Sequence, residues 1–231
     1  MKVFAIDTSA KTTGAAVCED EKLICGIQKN AGFTQSTMAL PAVKDLFEKA
    51  KVTADGIDIF ACTVGPGSFT GVRIGVSLVK GLAFGKNKIC IGVSTLEALS
   101  YNIKADGAVV VAVMDARQNR YYHALFKVDG DSRTRLCEDD VGTPEEIAGK
   151  LSVIDSVIYF VGDGYDAMKA LFPAAKETPR DLIYPSGHGV ALAALAKYGT
   201  SSAEERKNFT DQRLSPVYLR PSQAERNISK E

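Results

Sequence analysis

The chain has 231 residues and a mass of 24.7 kDa, with 28 basic and 28 acidic residues, two histidines, five cysteines and no tryptophan. A composition 45% hydrophobic and 24% charged excludes a disordered, collagen-like or disulfide-scaffold chain, and this length can bury enough surface to fold without a metal or a disulfide. Zero net charge, made of 12 basic and 9 acidic residues in 1–105 against 16 and 19 in 106–231, argues against a protein that grips nucleic acid through a basic face of its own.

Val3–Ile6 is an apolar run that ends in Asp7-Thr8-Ser9. Runs at Gly14–Cys18 and Leu23–Gln28 follow, separated by a polar turn, so the chain opens with three strands, the last two a hairpin. From Ser36 to Lys51 the spacing of Ala39, Val43, Leu46, Phe47 and Ala50 predicts a helix with one apolar face, and Pro41 either marks its first turn or kinks it. Ile57–Val64 reads as a buried strand leading into Gly65-Pro66-Gly67-Ser68-Phe69-Thr70-Gly71. Val72, Val76, Val79, Leu82 and Ala83 then form a helical stripe. Ile89–Val93 is a further strand, and Ser94-Thr95-Leu96-Glu97 reads as a capping box opening the next helix.

The second half repeats this grammar. Val109–Met114 is a strand ending in Asp115, and Tyr121–Val128 and Thr134–Cys137 read as its second and third strands. Thr143-Pro144-Glu145-Glu146 is another capping box with proline in the first turn. Val157–Val161 is a buried strand ending in Gly162-Asp163-Gly164, and helical patterns follow at 165–172 and 187–198. Ile6-Asp7 answers Met114-Asp115, and the Gly65 turn answers the Gly162 turn, in the same order. Two such echoes indicate duplicated α/β lobes of about 100 residues, each a mixed sheet flanked by helices. That is the actin-like (ASKHA, ribonuclease-H-like) architecture of ATPases and sugar kinases. The expected division is a first lobe over 1–104, a second over 105–200, and a polar and terminal segment over 201–231 that returns to the first lobe.

In that architecture the turn after the first strand of each lobe faces a cleft, where an Asp orients metal or water and a glycine lets backbone approach phosphate. Here the turns are Asp7-Thr8-Ser9 and Asp115-Ala116-Arg117. Ser9 and Arg117 stand where bare backbone is favoured, which reads as a vestigial nucleotide site. The loop containing Gly65, Gly67, Ser68 and Gly71 can hold an anion at a strand-to-helix junction. Its spacing fits neither the dinucleotide nor the Walker fingerprint, and a tight turn allowing close helix–sheet packing remains open. No catalytic set is visible: Ser68 lies outside a nucleophile elbow, and His123 and His188 have no carboxylate at a telling spacing. No metal site and no cofactor are expected. The cysteines, Cys18, Cys25, Cys62, Cys90 and Cys137, read as small core residues in a reducing compartment. With Asp7 interrupting the first apolar run and no stretch of about 18 apolar residues, neither a signal peptide nor a membrane span is expected, and the location is cytoplasmic.

The strings GPGSFTGVRIG at 65–75, MKVFAIDTS at the start, VSTLEALS at 93–100, VMDARQNRYY at 113–122 and SPVYLR at 215–220 together resemble the bacterial TsaB (YeaZ) family, over nearly the whole chain. The resemblance implies a part in forming threonylcarbamoyladenosine beside the anticodon of tRNA. It implies a non-catalytic subunit that binds and activates a catalytic paralogue, TsaD, helps recruit the small ATPase TsaE, and meets tRNA through the complex. TsaD carries metal-binding histidines on a helix whose counterpart here, Thr34–Pro41, has none; many relatives show His-Ser-Glu at Gln35-Ser36-Thr37. The helices at about 36–50 and 71–85 are implied to form a bundle with TsaD, or to close a homodimer without it, through Met38, Val43, Leu46, Val72, Val76 and Val79. The alternative to this scaffold is a free-standing actin-fold ATPase or small-molecule kinase.

Overall fold

The computed structural model describes residues 1–30 and 35–220. Thr34 of the expected first helix and residues 221–231 of the expected terminal segment lie outside the described residues. The first sheet contains β1 (Lys2–Asp7), β2 (Thr12–Glu19), β3 (Lys22–Asn30), β4 (Ile59–Gly65) and β5 (Ile89–Ser94), in the order β3-β2-β1-β4-β5. β1 pairs antiparallel with β2 and parallel with β4, so it sits at the centre. That position explains its continuous apolar run, since Val3–Ile6 are buried on both faces. The second sheet contains β6 (Val109–Asp115), β7 (Tyr121–Asp129), β8 (Ser132–Arg135), β9 (Asp140–Gly142) and β10 (Ile158–Val161). Its order β10-β6-β7-β8 repeats β4-β1-β2-β3 without a counterpart of β5, and β9 adds a short pairing on β7. This is the duplicated fold that the sequence echoes predict. Strand β9 is the element those echoes do not contain.

The helices are α1 (Gln35–Ala50), α2 (Phe69–Ala83), α3 (Thr95–Ser100), α4 (Pro144–Leu151), α5 (Tyr165–Leu171), α6 (Gly187–Thr200) and α7 (Ala203–Arg206). Helices α1 and α2 cover one face of the first sheet, with Val43, Leu46, Val76 and Val79 against Phe4 and Phe60. Pro41 lies inside α1 on an exposed side. The second sheet is covered by α4 and α5 on one face and by Leu96 and Leu99 of α3 on the other. The Thr143 capping box forms in full, but that of Ser94 forms by half. Ser94 Oγ accepts from the Leu96 and Glu97 amides, while the Glu97 carboxylate turns away to Arg135 at 3.3 Å. A partly buried guanidinium next to Glu97 outcompetes the cap amide for the carboxylate.

The expected second lobe of 105–200 needs correction at its end. Helix α6 packs on the first sheet, where Val190, Ala191, Ala193 and Ala194 meet Val3, Ala5, Ile59 and Ala61. Small alanines on that face let the helix lie close to the sheet. Cys18, Cys62 and Cys90 are buried and Cys25 and Cys137 half-buried, all as free thiols. No helix among the described residues is long and apolar enough to cross a membrane.

Candidate functional site

A cleft of about 430 Å³ opens between the two sheets, where β1, β4, β6 and β10 end. Ser9, Lys11, Gly67 and Ser68 line it from the first lobe, and Asp115, Arg117 and Asp163 from the second. Asp7 and Thr8 do not line it. The Asp7 side chain is fully buried, and its Oδ1 accepts from Thr63 Oγ1 at 2.6 Å and Ser9 Oγ at 2.6 Å. Its Oδ2 has no hydrogen-bond partner among the described residues. Burial pushes this carboxyl up to about 6, against the pull of the Ser9 and Thr63 hydrogen bonds. Thr8 Oγ1 donates to Gly71 O at 2.7 Å, so it too is turned away from the cleft.

The glycine loop is pressed onto the neighbouring chain. Ser68 N–H donates to Ser9 O at 2.8 Å, and a Cβ at Gly67 would stand 2.7 Å from that same oxygen. A Cβ at Gly71 would run into Thr8 O, and one at Gly65 into Val217 O. The spacing of these glycines is therefore what close packing of the loop on residues 8–9 and 217 demands. Ser68 is the N-cap of α2, its Oγ accepting from the Gly71 amide at 3.2 Å.

On the opposite wall the Asp115 amide donates to Asp163 Oδ1 at 2.8 Å. Asp115 Oδ1 accepts from the Arg117 amide at 2.7 Å, and Arg117 Nη1 lies 3.5 Å from Oδ2. Burial raises the Asp163 carboxyl above its ordinary range, opposed first by that amide hydrogen bond. Arg117, Gln118 and Asn119 have φ of 67°, 57° and 53°, three consecutive residues in the left-handed region. The position that sequence reasoning marked as wanting glycine thus does take a glycine-like conformation, with an arginine side chain at the cleft.

Neither histidine lines the cleft. His123 is buried in β7 with Nε2 2.9 Å from Lys150 Nζ, so Nε2 accepts and the ring is neutral. Burial, then the Lys150 charge, pushes its pKa down. His188 Nε2 lies 3.0 Å from Glu21 O on an exposed surface. No group of three or more His, Cys, Asp or Glu among the described residues could hold a metal.

The residues implied for partner contact separate into two sets. Val43, Leu46, Val72, Val76 and Val79 are buried against their own sheet, and Met38 is half-buried. For the five buried residues the expectation is corrected: each helix turns its most apolar stripe inward, because that removes the most apolar surface from water. The outward apolar residues of this layer are Leu40, 62% exposed, and Phe84, 78% exposed. Periodicity alone passes over them, since Leu40 lies off the α1 stripe and Phe84 is the C-cap of α2. It also passes over the segment 217–220, which lines the cleft beside Lys11 and Asp163.

A family model described as TsaD, tRNA N6-adenosine threonylcarbamoyltransferase, matches residues 33–227. The tRNA threonylcarbamoyladenosine biosynthesis protein TsaB of Escherichia coli K12 is 29% identical over 230 residues, covering 95% of each chain. The protein of the same name from Buchnera aphidicola is 32% identical over 196 residues, 81% of this chain and 90% of its own. Among solved structures, YeaZ from Pseudomonas aeruginosa superposes with a TM-score of 0.74 at 24% identity, covering 94% of this chain and 99% of its own.

Proposed function

The chain belongs to the TsaB family, and from that premise we propose that it serves in the formation of threonylcarbamoyladenosine in tRNA as a non-catalytic subunit. In this reading it docks a TsaD-type paralogue that performs the transfer, helps recruit a TsaE-type ATPase, and meets tRNA only through the assembled complex in the cytoplasm. The observation that carries the non-catalytic part is the cleft. Its glycine loop is closed against Ser9 and Val217, Asp7 is buried away from it, and Arg117 fills the turn opposite. The outward face of α1 and α2, with Leu40 and Phe84, offers the apolar surface that a helical partner covers. A second copy of the chain uses the same face when the partner is missing.

The deciding experiment is mass spectrometry of digested tRNA from cells depleted of this protein. Threonylcarbamoyladenosine should fall severalfold and return on complementation with the wild-type chain. Unchanged levels of the modified nucleoside would overturn the assignment.

A further inference from the structure

The segment Leu214–Arg220 is neither helix nor strand, yet it is anchored at both ends. Leu214 is buried in the first core, and its carbonyl accepts from Lys80 Nζ at 3.1 Å. The Val217 amide donates to Val64 O at 2.7 Å, and Gly65 makes room for the Val217 carbonyl. Three residues on, Arg220 reaches the second lobe, where its Nη1 donates to Ala116 O at 2.8 Å. Ala116 is the root of the left-handed turn Arg117–Asn119, which the Ala116 amide closes by donating to Arg120 O at 2.8 Å. The segment is thus a strap that crosses the cleft.

At the rim of the cleft the strap packs on the first turns of α2. The Tyr218 ring stacks on Phe69 with centroids 4.5 Å apart, and its hydroxyl accepts from Arg73 Nε at 2.8 Å. The Arg73 guanidinium also lies 4.0 Å over the Phe69 ring. Val217 and Tyr218 are nonetheless 53% and 43% exposed.

We infer that the strap is both a docking element and a latch: its exposed Val217 and Tyr218, at the rim of the cleft, extend the α2 surface that meets the TsaD-type partner, and Arg220 passes that docking to the cleft turn of the second lobe. This rests on the partner reading given above. The occupant follows from continuity, because Phe69 and Arg73 are α2 residues and a partner covering the outward side of the first turns of α2 must also touch Tyr218. Tyrosine and arginine held in place beforehand are the side chains that dominate binding energy, since little entropy is lost when they are covered. A partner that binds the strap in this position holds the Arg220–Ala116 hydrogen bond against opening. By linkage, closure of that bond favours docking by the same factor.

The test is hydrogen exchange on the full chain, with and without the partner, together with calorimetric binding. In the free chain Arg220→Ala should speed exchange at residues 115–122 severalfold while β4 is unchanged, and Arg220→Lys should recover part of the protection. Unchanged exchange at 115–122 overturns the latch without reference to any partner. Tyr218→Ala should weaken partner binding about tenfold. If Phe84→Glu abolishes binding and Tyr218→Ala does not weaken it, the strap is no docking element and the scaffold reading stands. If neither variant alters the affinity of a complex that forms, both the strap and the α1–α2 surface fall. The partner should slow exchange at 115–122 in the wild type and not in Arg220→Ala; equal slowing in both overturns the transmission.

Discussion

Asp7 takes a carboxylate out of water with one oxygen satisfied and the other bare. The cost falls on the ionised form, so the folded chain holds this proton up to about pH 6 where an unfolded aspartate releases it near 3.8. The folded state binds more protons across that window, and stability from this group is therefore full below the unfolded value and lost as pH rises to about 6. The shift corresponds to about 3 kcal/mol. Asp7→Asn keeps an acceptor for Thr63 and Ser9 and removes the charge, so its melting temperature should exceed the wild type at pH 7.5 and lose that advantage by pH 4.5. Equal slopes of melting temperature against pH would overturn this account. His123 works with the opposite sign, since a histidine held neutral loses stability as pH falls through about 6.5, but it is common to both proteins and cancels. The sequence places Asp7 at the end of a central strand. Its inward direction is set by Thr63, on a strand 56 residues away, and no local pattern carries that.

Helix α2 shows how far periodicity reaches. The stripe Val72, Val76, Val79 marks one face, and the helix runs within two residues of where the stripe puts it. What a stripe does not specify is which layer lies against it, and here its own sheet takes all three valines. Surface left for a partner must then come from residues that break the period. Phe84→Glu, at the exposed end of α2, should reduce copurification of a TsaD-type partner at least tenfold while the melting temperature stays within about 2 °C, as befits an exposed site. Full copurification would remove Phe84 from the interface. The glycine loop teaches a related lesson, because its spacing matches no ligand fingerprint and its glycines answer to Thr8, Ser9 and Val217. Ser68, marked in the sequence only as part of a loop able to hold an anion, is the N-cap of α2, and the strap was legible only as a motif.

At the scale of the molecule, two sheets of matching strand order enclose a cleft whose loops are bound to each other. Titration of the isolated chain with ATP and Mg²⁺ should therefore give no dissociation constant below about 1 mM; a low-micromolar value would restore the ATPase reading. The duplication was legible because turn residues recur in order along the chain. The place of α6 was not, since its all-round small apolar composition suits either sheet and only the fold chooses the first. That choice has a consequence for how the chain is made. Strand β5 ends at Ser94, yet the helix that covers the second face of its sheet ends at Thr200. At about 5–20 residues per second, a ribosome needs roughly 5–20 s to supply that cover. Through this interval Val3, Ala5, Ile59 and Ala61 lack the helix that later buries them. A gene cut between the lobes therefore leaves this face of the first sheet without the helix that covers it.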